Sequence, residues 1–215
     1  MPLALRYGVV LSFLVCVVLL LYEVAGTLAF GKRSRFARPE ASGLRGVLYA
    51  FGQGMMPWEK ESAAKHPLAY FAGVVYHAGI FAALFYLFCV ALFVELGVVT
   101  LSLLRALLFL GFLCGLGLLL RRAFSPSMRK LSSPDDYASN LIVDAVLLLA
   151  ALDTHFGRAT RLADTTWLLL LVSIVMFLYI PFGKIRHCFF FFYVRILLGQ
   201  FYGRRGVLPP RPHEV

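Results

Sequence analysis

The chain has 215 residues, of which 60% are hydrophobic and only 15% are charged, and its mean hydropathy is +0.81. Roughly a quarter of the residues in soluble domains are charged, so this composition excludes an ordinary soluble domain and predicts a multi-span membrane protein. The net charge of +10 does not indicate nucleic-acid binding, because the basic residues cluster between apolar runs, as they do in membrane topology.

Five apolar runs predict an all-α membrane protein, a bundle of five transmembrane helices in the lipid bilayer. In chain order the spans cover about residues 7–29, 67–94, 103–120, 137–152 and 165–195. The first run is longer than the core of a signal peptide, which favours a retained helix over a cleaved leader. The spans form a single domain over residues 1–200, followed by a tail over residues 201–215.

The longest connection, residues 31–66, is polar and basic. Within it, the segment LRGVLYAFGQGMMPW is moderately apolar and predicts a short helix. Such a helix either lies along the membrane surface or docks a partner protein, and the sequence leaves both uses open.

The basic residues also predict an orientation. Of the 21 Lys and Arg residues, all but four lie in loops 31–66 and 121–136 or in the region from Lys184 onward. The exceptions are Arg6, Arg105, Arg158 and Arg161. The positive-inside rule therefore places the N-terminus outside and the C-terminal tail in the cytoplasm, which an odd number of spans satisfies.

Two histidines lie inside separate apolar runs, His77 in VVYHAGIFAALF and His187 in YIPFGKIRHCFFFFY. A neutral imidazole is a good axial ligand for haem iron. At about 1.5 Å per helical residue, both histidines fall in the cytoplasmic half of the membrane. The pattern predicts one non-covalent b-type haem between them, because the chain has no CxxCH attachment motif. The alternative for each is a hydrogen bond between helices.

Further candidate site residues surround these two. Lys184, Arg186 and Arg195 are candidate contacts for haem propionates, or ordinary charges at the membrane boundary. Asp144, in the fourth span, serves either a helix–helix hydrogen bond or a proton route to a quinone site. His66, just before Pro67, is a weaker candidate for quinone or proton chemistry, or a solvated boundary residue. No nucleophile–base pairing indicates a catalytic residue.

The segments YHAGIFAALF and YIPFGKIRH resemble the haem-binding helices of the respiratory nitrate reductase gamma subunit family, membrane cytochromes b with five spans. The likeness covers most of residues 67–195. Family members with two haems carry a second pair of histidines, and the matching positions in this chain are Leu87 and Leu169. The resemblance therefore implies one haem b, with His77 and His187 as its axial ligands.

Two other segments, SSPDDYASNLIVDAVLLLAAL and GMMPWEKESAAKH, resemble the single-haem membrane cytochrome subunits of sulfate-reducer and methanogen redox complexes. Those relatives work with iron–sulfur proteins of the heterodisulfide-reductase type. The resemblance implies an electron-transfer subunit in a bacterial or archaeal cytoplasmic membrane, linking menaquinone to a cytoplasmic iron–sulfur partner. Other membrane or periplasmic redox subunits are further partners that it allows.

The residues alone keep a second class of function open. The chain can be a cofactor-free membrane anchor whose basic loops dock a soluble redox enzyme, with His77 and His187 only joining helices. A small transporter fits less well, because the chain shows neither internal repeats nor paired broken helices.

Overall fold

The computed structural model describes residues 2–29, 38–156 and 163–209. These residues are helical and contain no strand. In chain order the helices are α1 (Pro2–Ala29), α2 (Gly43–Phe51), α3 (Glu61–Lys65), α4 (Pro67–Ala91), α5 (Val98–Phe124), α6 (Pro126–Leu131), α7 (Pro134–Phe156), α8 (Ala163–Tyr179) and α9 (His187–Arg204). Three short 3₁₀ turns join them, at Gln53–Met55, Pro57–Glu59 and Lys184–Arg186.

Four helices are long and apolar enough to cross a membrane: α1, as Leu3–Thr27, and the whole of α4, α5 and α7. Helices α8 and α9 pass the same test only together, as a bent pair, Thr165–Tyr179 with Lys184–Arg204. The described part of the chain therefore holds four or five candidate spans, which confirms the predicted all-α membrane character. The count of five and the orientation stay predictions.

The last predicted span differs from the structure. The expected helix over about residues 165–195 is interrupted, because α8 ends at Tyr179 and α9 begins only at His187. Pro181 is the physical reason, since it has no N–H to donate and its ring clashes with the carbonyl group of residue 177. The turn is closed instead by the N–H groups of Phe182 and Gly183, which donate to the Tyr179 carbonyl at 3.0 and 2.9 Å. The proline ends the helix rather than kinking it.

Other helices are longer than predicted. Helix α7 starts at Pro134 because Asp136 accepts hydrogen bonds from the Ser133 N–H at 2.8 Å and the Ser133 hydroxyl at 3.0 Å, as in a capping box. Helix α5 exceeds its predicted range at both ends. Helix α9 continues to Arg204 and so includes part of the predicted tail. Residues 30–37 and 157–162, in predicted loops, and 210–215, in the tail, lie outside the described residues.

The chain divides into two compact units. The first unit comprises the described residues of Met1–Leu20 and Leu68–Ile185, and the second unit those of Leu21–Pro67 and Arg186–Val215. His77 belongs to the first unit and His187 to the second.

The core of the first unit is built from leucines on four helices, all fully buried: Leu87, Leu108, Leu147, Leu169 and Leu170. Helices α4 and α5 approach through glycines, since a Cβ added to Gly79 would lie 2.7 Å from the Cα of Gly111. Close backbone contact through small residues is a common way for membrane helices to associate, because lipid provides no hydrophobic driving force between them.

The second unit is built on the packing of α2 against α9. A Cβ added to Gly46 would lie 2.1 Å from the carbonyl oxygen of Gly199 and 2.6 Å from the Cα of Gly203. The GxxxG spacing of Gly199 and Gly203 therefore accepts the backbone of α2. The last turns of α1 also belong to this unit, and the hydroxyls of Thr27 and Tyr193 lie 2.8 Å apart.

Candidate functional site

His77 lies on α4, with its ring exposed. Its Nδ1 atom is 2.7 Å from the carbonyl oxygen of Gly73, one turn earlier on the same helix. A carbonyl oxygen can only accept a hydrogen bond, so Nδ1 is the donor, and in a neutral imidazole the lone pair is then on Nε2. Histidines that bind metals usually donate their other ring N–H in this way, which fixes the ring and its tautomer. The donor chemistry of His77 therefore fits an axial haem ligand.

His187 is the first residue of α9 and is also exposed. It directly follows the 3₁₀ turn Lys184–Arg186. The break after α8 therefore places His187 at the start of the next helix. The sequence predicted that His187 lies within a continuous span, and the structure places it at a helix start instead. Its residue type still provides an imidazole ligand.

The three predicted propionate contacts all have acceptors within the protein. Lys184 Nζ lies 2.5 Å from Asp136 Oδ2, and Arg186 Nη1 lies 3.8 Å from Glu23 Oε2. Arg195 donates to a carbonyl oxygen of α2, that of Ala50. A propionate would have to compete with these partners for each cation.

Two glycines near the histidines have packing roles. The space beside the Cα atom of Gly79 is occupied by the backbone of α5. A Cβ added to Gly183 would lie 2.3 Å from the ring of Tyr179. Contacts within the protein therefore account for both glycines, without a flat cofactor against their backbone.

Leu87 and Leu169, which match the second pair of ligands in two-haem cytochromes, are both fully buried in the first unit. Their side chains belong to the leucine core. Protein atoms, not an open cavity, therefore surround these two positions.

Asp144 lies in a polar cluster formed by Tyr76, Asn140 and Asp144, and only 5% of its surface is exposed. Asn140 Nδ2 donates to Asp144 Oδ2 at 2.9 Å and lies 3.1 Å from the Tyr76 hydroxyl. Asp144 Oδ1 has no hydrogen-bond partner among the described residues. Gly115 makes room for the cluster, because a Cβ there would lie 2.1 Å from that oxygen. Asn140 and Asp144 are one turn apart on α7, so the bond to Oδ2 lies within that helix, and Asn140 makes the contact with Tyr76 of α4.

The span predicted over about residues 137–152 stops just before a second buried aspartate, Asp153. It lies in α7 with 4% of its surface exposed. Tyr86 donates to its Oδ2 at 2.7 Å, and the hydroxyls of Thr165 and Thr166 donate to its Oδ1 at 3.1 and 2.6 Å. The sequence signal was the apolar run that extends directly up to Asp153.

His66 follows α3 in the second unit and is exposed. Its backbone N–H donates to the Ala63 carbonyl at 3.2 Å. Within the described residues, no group of three or more His, Cys, Asp or Glu side chains is arranged to hold a metal ion.

Comparison with protein-family models, with curated proteins and with solved structures found no match. The family resemblance of the two histidine segments therefore stays a prediction.

Proposed function

We propose that the chain is the membrane cytochrome b subunit of an electron-transfer complex, with one b-type haem that takes His77 and His187 as axial ligands. The observation that carries the proposal is the geometry of His77, whose Nδ1 lies 2.7 Å from the Gly73 carbonyl on a candidate span. In a neutral imidazole, this contact makes Nε2 the nitrogen that would bind the iron. The pairing with His187 rests on the sequence resemblance and not on a distance.

Different parts of the chain have different roles in the proposed haem site. One-electron reduction and oxidation are the chemistry that a b-type haem supplies when bound. His77 and His187 provide imidazole nitrogens, and the Gly73 carbonyl orients the first of them. The apolar spans exclude water, which strengthens every electrostatic interaction with the ligands.

The partners follow from the same resemblance. Electrons pass between menaquinone or its quinol and a cytoplasmic iron–sulfur protein of the heterodisulfide-reductase type, in a bacterial or archaeal cytoplasmic membrane. Of the two weaker candidates for proton handling at a quinone site, Asp144 has the stronger support, because it is buried and one of its oxygens has no hydrogen-bond partner among the described residues. His66 is exposed and has no comparable surroundings.

The test is a pyridine haemochrome assay on the purified full chain, beside His77→Ala, His187→Ala and the matched control His66→Ala. We expect one haem b per chain in the wild type and in the control, and none in the other two variants, because each of those variants would lack one of the two imidazoles proposed to hold the haem. Folding of each variant is checked by its unfolding temperature in detergent.

Two results would contradict the proposal in different ways. Haem retained in His77→Ala or His187→Ala would assign the ligand elsewhere. A wild type without haem, purified from a haem-sufficient host, would favour the cofactor-free anchor that docks a soluble redox enzyme.

A further inference from the structure

The second unit lies at a membrane boundary for a topological reason. It contains the last turns of α1, whose candidate span ends at Thr27, and it extends to Pro67, where the span of α4 begins. A segment that joins two successive spans stays on one side of the bilayer. Helix α2 and the turns after it therefore lie at one face of the membrane.

Helix α2 has an apolar stripe formed by Leu44, Leu48 and Phe51. These residues follow the i, i+4, i+7 spacing of one helix face, and their surfaces are 66%, 64% and 36% exposed. The second unit leaves the two leucines largely uncovered, whereas Phe51 also contacts the rings of Phe191 and Phe192 on α9. The opposite face, with Gly46, packs on α9. An amphipathic helix of this kind lies in the plane of the membrane interface with its apolar face inward.

The turn that carries Trp58 is tied to α2 by a carboxylate clamp. The Tyr49 hydroxyl and the Gln53 amide donate to the two oxygens of Glu59, each at 2.9 Å. Burial and the neighbouring Glu59 raise the pKa of Tyr49, so the phenol stays protonated and keeps donating. The turn Pro57–Glu59 is thereby tied to α2, and the indole of Trp58 is 70% exposed. Tryptophan is enriched at membrane–water interfaces.

Two half-buried cations, Lys60 and Arg195, make no ion pair with any residue that the structure describes, although Arg195 also donates to the Ala50 carbonyl, for which an anionic group would have to compete. The Arg195 guanidinium lies 4.9 Å from the ring centre of Phe191, which is 6.1 Å from that of Phe51. The cation therefore sits at the Phe51 end of the apolar stripe. Burial and the positive charge of Arg195 lower the pKa of Lys60. The two cations therefore lie close enough to interact electrostatically.

The charge of the whole unit has the same sign. Its described residues include eight Lys and Arg against four Glu, and one of those four, Glu59, is engaged in the clamp. Cations close to a bilayer surface attract anionic headgroups. Charge complementarity thus selects a lipid phosphate as the missing partner.

We infer that α2 and the turn Pro57–Glu59 form an interfacial lipid site that takes an anionic phospholipid. The apolar stripe and Trp58 enter the boundary between headgroups and acyl chains, and Lys60 and Arg195 select the anionic headgroup. This site does not depend on the proposed haem.

The test uses the full chain with Trp167→Phe, reconstituted in nanodiscs. The chain has two tryptophans, so this substitution leaves Trp58 as its only one. Its fluorescence is measured in lipids with brominated acyl chains and divided by that in the unbrominated lipid, which cancels quenching by the protein itself. We expect brominated phosphatidylglycerol, in a phosphatidylcholine background, to quench Trp58 at a lower mole fraction than brominated phosphatidylcholine.

Charge variants test the selection. Lys60→Gln and Arg195→Gln should each raise the mole fraction of phosphatidylglycerol for half-quenching about fivefold, from the typical contribution of one cation at an anionic surface. Lys130→Gln, an exposed cation of the first unit, is the control and should change nothing. High salt, applied to the chain with Lys60 and Arg195 intact, should also raise the mole fraction of phosphatidylglycerol for half-quenching, because salt screens the charges. No substitution is made in this experiment, so misfolding cannot explain the result.

Two results would overturn the inference. Quenching of Trp58 by aqueous iodide and not by brominated lipid would show that the surface faces water, as docking a soluble protein would need. Equal quenching by both brominated lipids, unchanged in the charge variants, would remove the anionic selection. The same measurement on His77→Ala should match the parent chain, so loss of haem and loss of this site are distinguishable.

Discussion

At the scale of single residues, α7 carries two aspartates with the same burial and opposite surroundings. Asp144 and Asp153 are 5% and 4% exposed. Both oxygens of Asp153 accept hydrogen bonds from hydroxyl groups, whereas Asp144 has one oxygen without a partner among the described residues. A buried acceptor without a donor costs about 1–3 kcal/mol. The same substitution should therefore change the free energy of unfolding differently at the two positions.

We predict opposite signs for Asp144→Asn and Asp153→Asn. The first replaces a buried carboxyl group, one of whose oxygens has no partner among the described residues, so the free energy of unfolding should stay equal or rise by about 1 kcal/mol. The second weakens three hydrogen bonds to a carboxylate and should lower it by about 1–3 kcal/mol. Unfolding temperatures in detergent would check this, and equal losses in both variants would contradict it.

A second prediction compares two glycines on α5. Gly115→Ala should lower the free energy of unfolding by about 1–3 kcal/mol, because the new methyl group overlaps Asp144 and the ring of Tyr76. Gly117→Ala meets nothing within 4 Å and should stabilise the helix by up to about 1 kcal/mol. Thermal unfolding of both variants gives the comparison, and a stabilised Gly115→Ala would argue against the packed polar cluster.

At the scale of elements, the contact of α2 with α9 depends on the absence of one side chain. Gly46→Ala would place a methyl group against backbone atoms of Gly199 and Gly203, which cannot rotate away. We expect a loss of at least about 2 kcal/mol from the second unit. Hydrogen exchange of α2 and α9 amides would measure it. Gly26→Ala, in the same unit with nothing within 4 Å, is the control and should leave exchange unchanged.

Local signals could predict where the long helices lie and some of their boundaries. The sequence Ser133–Pro134–Asp135–Asp136 is a helix start by its capping groups alone, and the apolar runs located the four long spans. Asp153 could not be placed this way, because a polar residue after an apolar run usually marks a loop. Its partner Tyr86 is 67 residues away, so only the tertiary structure reveals why the helix continues through it.

The candidate site was predictable only in part. Histidines in apolar runs stand out by residue type, so His77 and His187 could be identified from the sequence. The carbonyl partner of His77 depends on its helical geometry, and the partners of Lys184 and Arg195 depend on packing. Pro181 can disturb a helix by its residue type alone, but whether a proline kinks or ends one depends on the contacts around it.

At the scale of the whole molecule, the number of spans determines the sidedness of the two ends. If the bent pair of α8 and α9 crosses the membrane, the chain has five spans and its ends lie on opposite sides. We predict an external N-terminal tag and a cytoplasmic, fluorescent C-terminal GFP, following the distribution of Lys and Arg. A fusion after Lys130 should be cytoplasmic for either count and serves as the control. Both ends on one side would show that the pair re-enters.

The packing of α2 on α9 has a consequence for synthesis. Ala50 and Arg195, which are hydrogen bonded across it, are 145 residues apart. At roughly 5–20 residues per second, the ribosome makes α9 on the order of 10–30 seconds after α2. During that interval the glycine face of α2 has no helix to accept it, although α1 and α4 have already been delivered to the membrane. Completion of the second unit is therefore a late event, and a chain halted before Gly199 would display that open face to the quality-control machinery.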